Sequence, residues 1–156
     1  MVDVGSGGGS PGLPLASARP DLRFDLLEAA ARKCAFLREH AAAFPNAAAV
    51  CARAEEYGRG AGRDAYGTAV ARALAAPAVA LEWCLPLVAP GGAAIVYTGV
   101  PPEDPATVAR MLGGDEPRLV PVPGSERRHL LVVAKLEPTP ARFPRRGGVA
   151  RKRPLG

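Results

Sequence analysis

The stretch Asp3-Val4-Gly5-Ser6-Gly7-Gly8-Gly9-Ser10-Pro11-Gly12 decides how this chain folds. Residues 1–4 read as the end of a strand that runs straight into glycines. Residues 13–19 read as a short helix, with Pro11 and Gly12 near its start. A glycine-rich turn between a first strand and a first helix lets a ligand approach the backbone closely. Ligands of open α/β sheets bind at the carboxyl ends of the strands, which is where this turn falls.

Outward from the loop, strands alternate with helices. Residues 22–27 read as a strand, after which Ala30, Cys34, Leu37, Ala41 and Phe44 recur at helical spacing, with Arg32, Lys33, Arg38 and Glu39 on the opposite face. Residues 47–51 form a further strand, closed by the polar Arg53-Ala54-Glu55-Glu56; 58–62 is a loop and 66–71 a strand. Pro77 falls where a helix can begin, because its missing N–H would be unpaired there anyway. That helix ends before Pro90-Gly91-Gly92, and strand 93–98 follows. A short helix at 107–112 precedes an antiparallel pair, 119–122 and 129–135, that turns at Gly124-Ser125. The pattern predicts an α/β, Rossmann-like, doubly wound and mostly parallel sheet with an antiparallel last strand.

Composition bounds the function. The 156 residues suit one domain, and 48% apolar content suits a soluble globular protein. There is no apolar run long enough for a membrane span and no secretory leader pattern, so a cytoplasmic protein without a membrane partner is expected. Cys34, Cys51 and Cys84 lack CxxC or His-paired spacing and read as reduced core residues; with only His40 and His129 besides, no metal is expected. The net charge of +5 is uneven. From Pro138 onward there are six basic residues (Arg142, Arg145, Arg146, Arg151, Lys152, Arg153) and no acidic ones, against fourteen basic and fifteen acidic residues before it. The chain thus divides into a neutral body, 1–137, and a basic Pro/Arg/Gly-rich tail, 138–156, suited to a polyanion such as RNA or else simply solvated.

Two registers compete within the glycine loop. Gly7, Gly9 and Gly12 satisfy GxGxxG, the dinucleotide pattern, although Gly5 already ends the strand. Asp3, Gly5, Gly7 and Gly9 satisfy acidic-x-Gly-x-Gly-x-Gly, the methyltransferase signature, in which Asp3 organises the site and the glycines pass beneath the methionine and ribose of S-adenosylmethionine. Glu28 follows Gly5 by 23 residues at the end of the second strand, where a carboxylate accepts ribose hydroxyl protons in either cofactor class; its bland alternative is a solvated helix start.

The segment from Val2 through Gly12-Leu13-Pro14-Leu15 resembles the cofactor loop of the ribosomal RNA small subunit methyltransferase G family, also called glucose-inhibited division protein B. The resemblance continues through Leu27-Glu28, Arg32-Lys33-Cys34-Ala35-Phe36-Leu37, Arg53-Ala54-Glu55-Glu56, Ala71-Arg72-Ala73-Leu74-Ala75, Pro90-Gly91-Gly92 and the basic ending, so it covers nearly the whole chain. It implies methyl transfer from S-adenosylmethionine to N7 of a guanine in 16S rRNA, with naked rRNA or a small-subunit particle as partner; a monomer is expected, although the sequence leaves the oligomeric state open. It implies that Gly5 and Ser10 border the cofactor, that Ala54 and Glu55 lie along its adenine side, and that Arg72 stands near both cofactor and reacting base. Two departures accompany it. Family members begin with a helical region before the first strand, so a truncated chain is expected, and Tyr97-Thr98-Gly99 stands where members often carry a lysine before the glycine.

Methylation at guanine N7 needs no general base, because N7 carries a free lone pair. The chain fits by what it lacks: no cysteine follows a proline, and Val100-Pro101-Pro102-Glu103 has the prolines of an amino-methylating motif without its flanking residues. Two alternatives remain open: a truncated, inactive cofactor- or RNA-binding module, and a nucleotide-cofactor oxidoreductase using the Gly7/Gly9/Gly12 register.

Overall fold

In the computed structural model, residues 1–99, 104–125 and 127–156 are described; Val100-Pro101-Pro102-Glu103 lies outside them. The first strand, β1 (Val2–Val4), is buried along its whole length at the centre of the sheet. It is followed by α1 (Gly12–Ala18), β2 (Phe24–Glu28), α2 (Ala31–Ala41), β3 (Ala47–Cys51), α3 (Ala54–Tyr57) and β4 (Tyr66–Arg72). Then come α4 (Pro77–Cys84) with a 3₁₀ turn (Leu85–Leu87), β5 (Val88–Thr98), α5 (Pro105–Met111), β6 (Arg118–Pro121), β7 (His129–Ala134) and α6 (Val149–Lys152). The strands lie in the order β3-β2-β1-β4-β5-β7-β6; β1 to β5 pair in parallel, and β7 runs antiparallel to both neighbours. The expected doubly wound sheet is therefore present.

Packing follows the apolar spacing. Cys34, Leu37 and Ala41 are the buried face of α2, while α4 buries all of Val79–Cys84 in the larger core between the sheet and the C-terminal segment. Pro77 opens α4 as its spacing predicts. At α5 the side chain of Asp104 accepts the N–H of Thr107 (3.1 Å), so the helix starts two residues before the expected position.

Three expectations need correction. Strand β5 begins at Val88, through Pro90-Gly91-Gly92. Tyr66 pairs with Val88 but Thr68 with Ala93, so Gly67 faces a bulge that keeps the strand going. Gly91 takes φ +89° there, and a Cβ on Gly92 would collide with the carbonyl oxygen of Gly67. Arg53 to Glu56, read as a polar closure, instead caps and forms the one-turn helix α3. Finally, Cys34 and Cys51 are joined as a disulfide, their Cα atoms 5.7 Å apart. Their spacing in sequence hides this, because it is the packing of α2 on β3 that brings them together. Cys84 alone is free; burial pushes its thiol well above the ordinary range.

Lys135, just past β7, is buried with 1% of its surface exposed. Its Nζ donates to Leu85 O (2.7 Å) and to Thr139 Oγ1, which in turn donates to Leu112 O (2.8 Å). Burial lowers its pKa to about 8, against the raising influence of Asp64. Between pH 8 and the unfolded value of 10.5 the unfolded chain holds the proton and the folded one does not, so stability rises with pH across that window. Urea unfolding of the wild type is expected to gain on the order of 2 kcal/mol there relative to Lys135→Met. Parallel pH profiles of the two proteins would exclude a depressed lysine.

Candidate cofactor site

The turn after β1 is built by backbone hydrogen bonds that only a glycine-rich segment permits. The N–H groups of Gly5 and Ser6 both donate to Leu27 O (2.8 and 3.0 Å), and Gly9 N–H donates to Ser6 O (2.8 Å). Gly5 has φ +70°, where a side chain would be strained and would also strike Leu74. Beneath the loop Asp3 is 1% exposed. Its Oδ2 accepts Ser6 Oγ–H (2.7 Å) and Gly12 N–H (2.9 Å), tying the start of the loop to the start of α1. Burial raises its pKa, and these two hydrogen bonds oppose the rise. Oδ1 has no hydrogen-bond partner among the described residues.

Glu28 ends β2 directly beside the loop. Its Oε2 accepts Gly7 N–H (3.0 Å) and its Oε1 accepts Ala30 N–H (2.8 Å). Each oxygen keeps a further lone pair for a ligand hydroxyl. Because Glu28 pairs with Cys51 in register, the end of β3 and the start of α3 lie alongside it. The result is a cleft of about 370 Å³, lined by Gly5, Glu28, Ala54 and Glu55 among others. That volume suits a small-molecule ligand. The glycine floor, the carboxylate with spare acceptor capacity and the apolar Leu27 and Leu74 flanks fit a nucleoside-containing cofactor.

The structure thus brings Gly5, Glu28, Ala54 and Glu55 into one wall. Gly7 lines a neighbouring cleft with Gly8, Arg32, Lys33 and Phe36. Gly9, Ser10 and Arg72 line neither; Arg72 is exposed and its Nε donates to Ser10 O (3.3 Å), which sets it over the loop's far side. Ala73, directly after it, has φ +53°, a strained conformation for alanine at the point where β4 hands over to the cleft.

The basic tail is not free of the body. Arg145 forms an ion pair with Glu82 (2.5 Å), a residue with no exposed surface, and its backbone N–H reaches the same carboxylate (2.9 Å). The Glu82 carboxylate raises the Arg145 pKa. Phe143 is buried, while Arg142, whose Cζ lies 5.1 Å from the Phe143 ring centre, and Arg146, Arg151, Lys152 and Arg153 are exposed. Arg151 reaches the cleft wall. Lining residues that the sequence did not point to include Lys33, Arg53, Leu74 and Trp83. Trp83, the only tryptophan, was a findable signal; the others become neighbours only once β3, β4 and α4 are assembled.

A glycine loop held under a second-strand carboxylate, on a sheet with β7 reversed beside β5, defines an S-adenosylmethionine-dependent methyltransferase of the Rossmann-like class I type. Solved structures of that fold superpose on the chain. They include the antibiotic-resistance methyltransferase Kmr (TM-score 0.62, 22% identity, covering 86% of this chain and 86% of that one). Another is the O-methyltransferase NcsB1 in complex with S-adenosylmethionine (TM-score 0.69, 17% identity, 86% and 48%). The profile of the rRNA small subunit methyltransferase G family matches residues 1–113, and the chain belongs to that family. It is similar to ribosomal RNA small subunit methyltransferase G of Pelotomaculum thermopropionicum (41% identity over 166 residues, 99% of this chain and 69% of that protein). The protein of the same name from Synechococcus sp. strain JA-3-3Ab is 39% identical over 168 residues, covering 99% and 64%. The chain thus spans about two thirds of the length of these relatives. Among the described residues no helix is long and apolar enough to cross a membrane.

Proposed function

We propose that this chain transfers the methyl group of S-adenosylmethionine to N7 of a guanine in 16S rRNA, alone or within a small-subunit particle in the cytoplasm. The observation that carries the reading is Glu28, held by Gly7 and Ala30 at the mouth of the glycine-loop cleft in a chain of this family. S-adenosylmethionine supplies an electrophilic methyl on a positively charged sulfur. As the guanine N7–methyl bond forms, the sulfur–methyl bond breaks and the positive charge passes to the base, leaving S-adenosylhomocysteine. No proton has to move, so the protein's work is alignment and exclusion of water, which together can supply roughly 7–11 kcal/mol of the barrier.

In this reading Glu28 takes the ribose hydroxyls, while Gly5, Gly7, Gly9 and Ser10 follow the methionine end. Ala54 and Glu55 flank the adenine. Arg72, over the loop at Ser10, holds guanine or its phosphate through the planar donor fork of its guanidinium. The body, 1–137, carries the glycine loop, Glu28 and Arg72. The segment 138–156 offers Arg142, Arg146, Lys152 and Arg153 to the RNA backbone, whereas Arg145 is engaged with Glu82.

The test is methyl transfer from labelled S-adenosylmethionine to 16S rRNA and to small-subunit particles. The wild type is expected to label guanine N7 in one of the two substrates. Arg72→Ala should lower kcat/KM by about a hundredfold with S-adenosylmethionine affinity retained. Removing the charges of Arg142, Arg146, Lys152 and Arg153 should reduce the salt dependence of RNA binding. Absence of labelling in both substrates, with cofactor binding intact, would overturn the enzymatic reading in favour of an inactive binding module.

A further inference from the structure

The segment after β7 is strapped to the body at successive points. The Arg63 guanidinium donates to Thr139 O and to Phe143 O (2.9 Å), and Arg59 Nε donates to Pro144 O (2.7 Å). Next come the Arg145–Glu82 pair and the Gly148 N–H, which donates to Glu55 Oε1 (3.2 Å). Ala150 of α6 is fully buried in the main core. These anchors hold the chain against the body, and Arg151 is the residue of this segment that lines the cleft. There Arg151 sits with its Cζ 5.2 Å from the centre of the Trp83 ring, and its Nη2 donates to Leu74 O (3.3 Å). Arg151, Trp83, Leu74 and Glu55 all line the same cleft as Glu28.

We propose that Arg151 is a cofactor-contacting residue, delivered by the C-terminal segment to the purine end of the cleft. The inference rests on the S-adenosylmethionine reading above. With the ribose at Glu28 and the methionine end along the glycine loop, the purine extends toward Ala54 and Glu55. Leu74, Trp83 and Arg151 line the same cleft there. A guanidinium is planar, weakly hydrated and stacks on aromatic faces, and a purine presents such a face. Its hold on Leu74 O uses one in-plane donor and leaves a face of the guanidinium for the purine. Adenine carries no charge, so the cation acts here by stacking rather than by ion pairing. The tail is therefore divided in labour: Arg151 belongs to the cofactor, while its exposed neighbours belong to the RNA.

Trp83 is the only tryptophan, so its fluorescence reports on this wall directly. Titrating S-adenosylhomocysteine into the 156-residue chain is expected to change that fluorescence and to give a Kd. Arg151→Ala should raise the Kd by about tenfold, while Arg38→Ala, on the exposed face of α2, leaves it unaltered. Adenosine, which shares only the purine and ribose, should lose affinity by the same factor. If Arg151→Ala also lowers the unfolding midpoint, Arg151→Lys decides. This variant keeps the charge and the stem over Trp83 but lacks the planar fork. Weakened binding at an unchanged midpoint supports the assignment, and wild-type binding overturns it. An Arg151→Ala protein that binds S-adenosylhomocysteine within about twofold of wild type overturns it too, whatever its RNA affinity. Failure of the wild type itself to bind would instead overturn the cofactor reading on which the inference rests.

Discussion

Substituting Glu28 by alanine is expected to weaken S-adenosylmethionine binding by at least about a hundredfold. The substitution removes the acceptor of the ribose hydroxyls and also releases the N–H groups of Gly7 and Ala30, so the loop loses its fixed shape along with its ligand contact. Each charge-assisted hydrogen bond is worth roughly 1.5–3 kcal/mol, and two to the ribose suffice for the stated loss. Glu28→Gln separates the two effects. The amide oxygen still accepts from one of the two backbone N–H groups while its NH2 faces the other, the charge is gone, and a loss of at least about tenfold is expected. Calorimetry with S-adenosylmethionine decides the matter. Binding by Glu28→Ala at near wild-type affinity would remove Glu28 from the ribose and leave it a structural brace of the loop.

The second large effect concerns stability. Arg145→Ala leaves the carboxylate of Glu82, which has no exposed surface, with only a backbone N–H for company. Breaking a buried pair on one side typically costs about 3–5 kcal/mol. For a chain of this size that corresponds to a fall in Tm on the order of 10 °C. Replacing both partners together, as Glu82→Leu with Arg145→Met, removes the stranded charge and should recover most of the loss. Thermal unfolding of the three proteins provides the check. A single variant as stable as wild type would mean that Arg145 does not anchor the C-terminal segment. The same variant also tests the first impression of the tail, since an arginine reserved for RNA would change RNA affinity and leave Tm alone.

Much of the architecture was written in local patterns. The glycine run after Val4, the spacing of Cys34, Leu37 and Ala41, and Pro77 at a helix start each act within a few residues, and the sheet shows them where expected. Gly5 and Glu28 were legible for the same reason, because a loop and the end of the next strand are adjacent in any βαβ unit. What escaped was non-local. Lys135 looked like the end of a strand, and its burial depends on Leu85 and Thr139 arriving from elsewhere. The continuity of β5 through Pro90-Gly91-Gly92 depends on Gly67 of the neighbouring strand. Cys34 and Cys51 meet only when α2 lies on β3. Six basic residues in the tail looked equivalent, and only the fold distinguishes Arg145, half-buried against Glu82, and Arg151, exposed but lining the cleft beside Trp83, from the rest.

Strand β6 closes one margin of the sheet, with every side chain exposed, Leu119 at 42% and Val120 at 39%. An apolar margin of that kind is a template on which a second polypeptide can add a strand, the route by which many sheets aggregate. Here it is bracketed by Pro117 and Pro121, neither of which has an N–H to offer an incoming strand, with the charge of Arg118 between them. Only a short run of donors is left, less than a lasting ladder needs. Two prolines at this margin thus limit the addition of a further strand there.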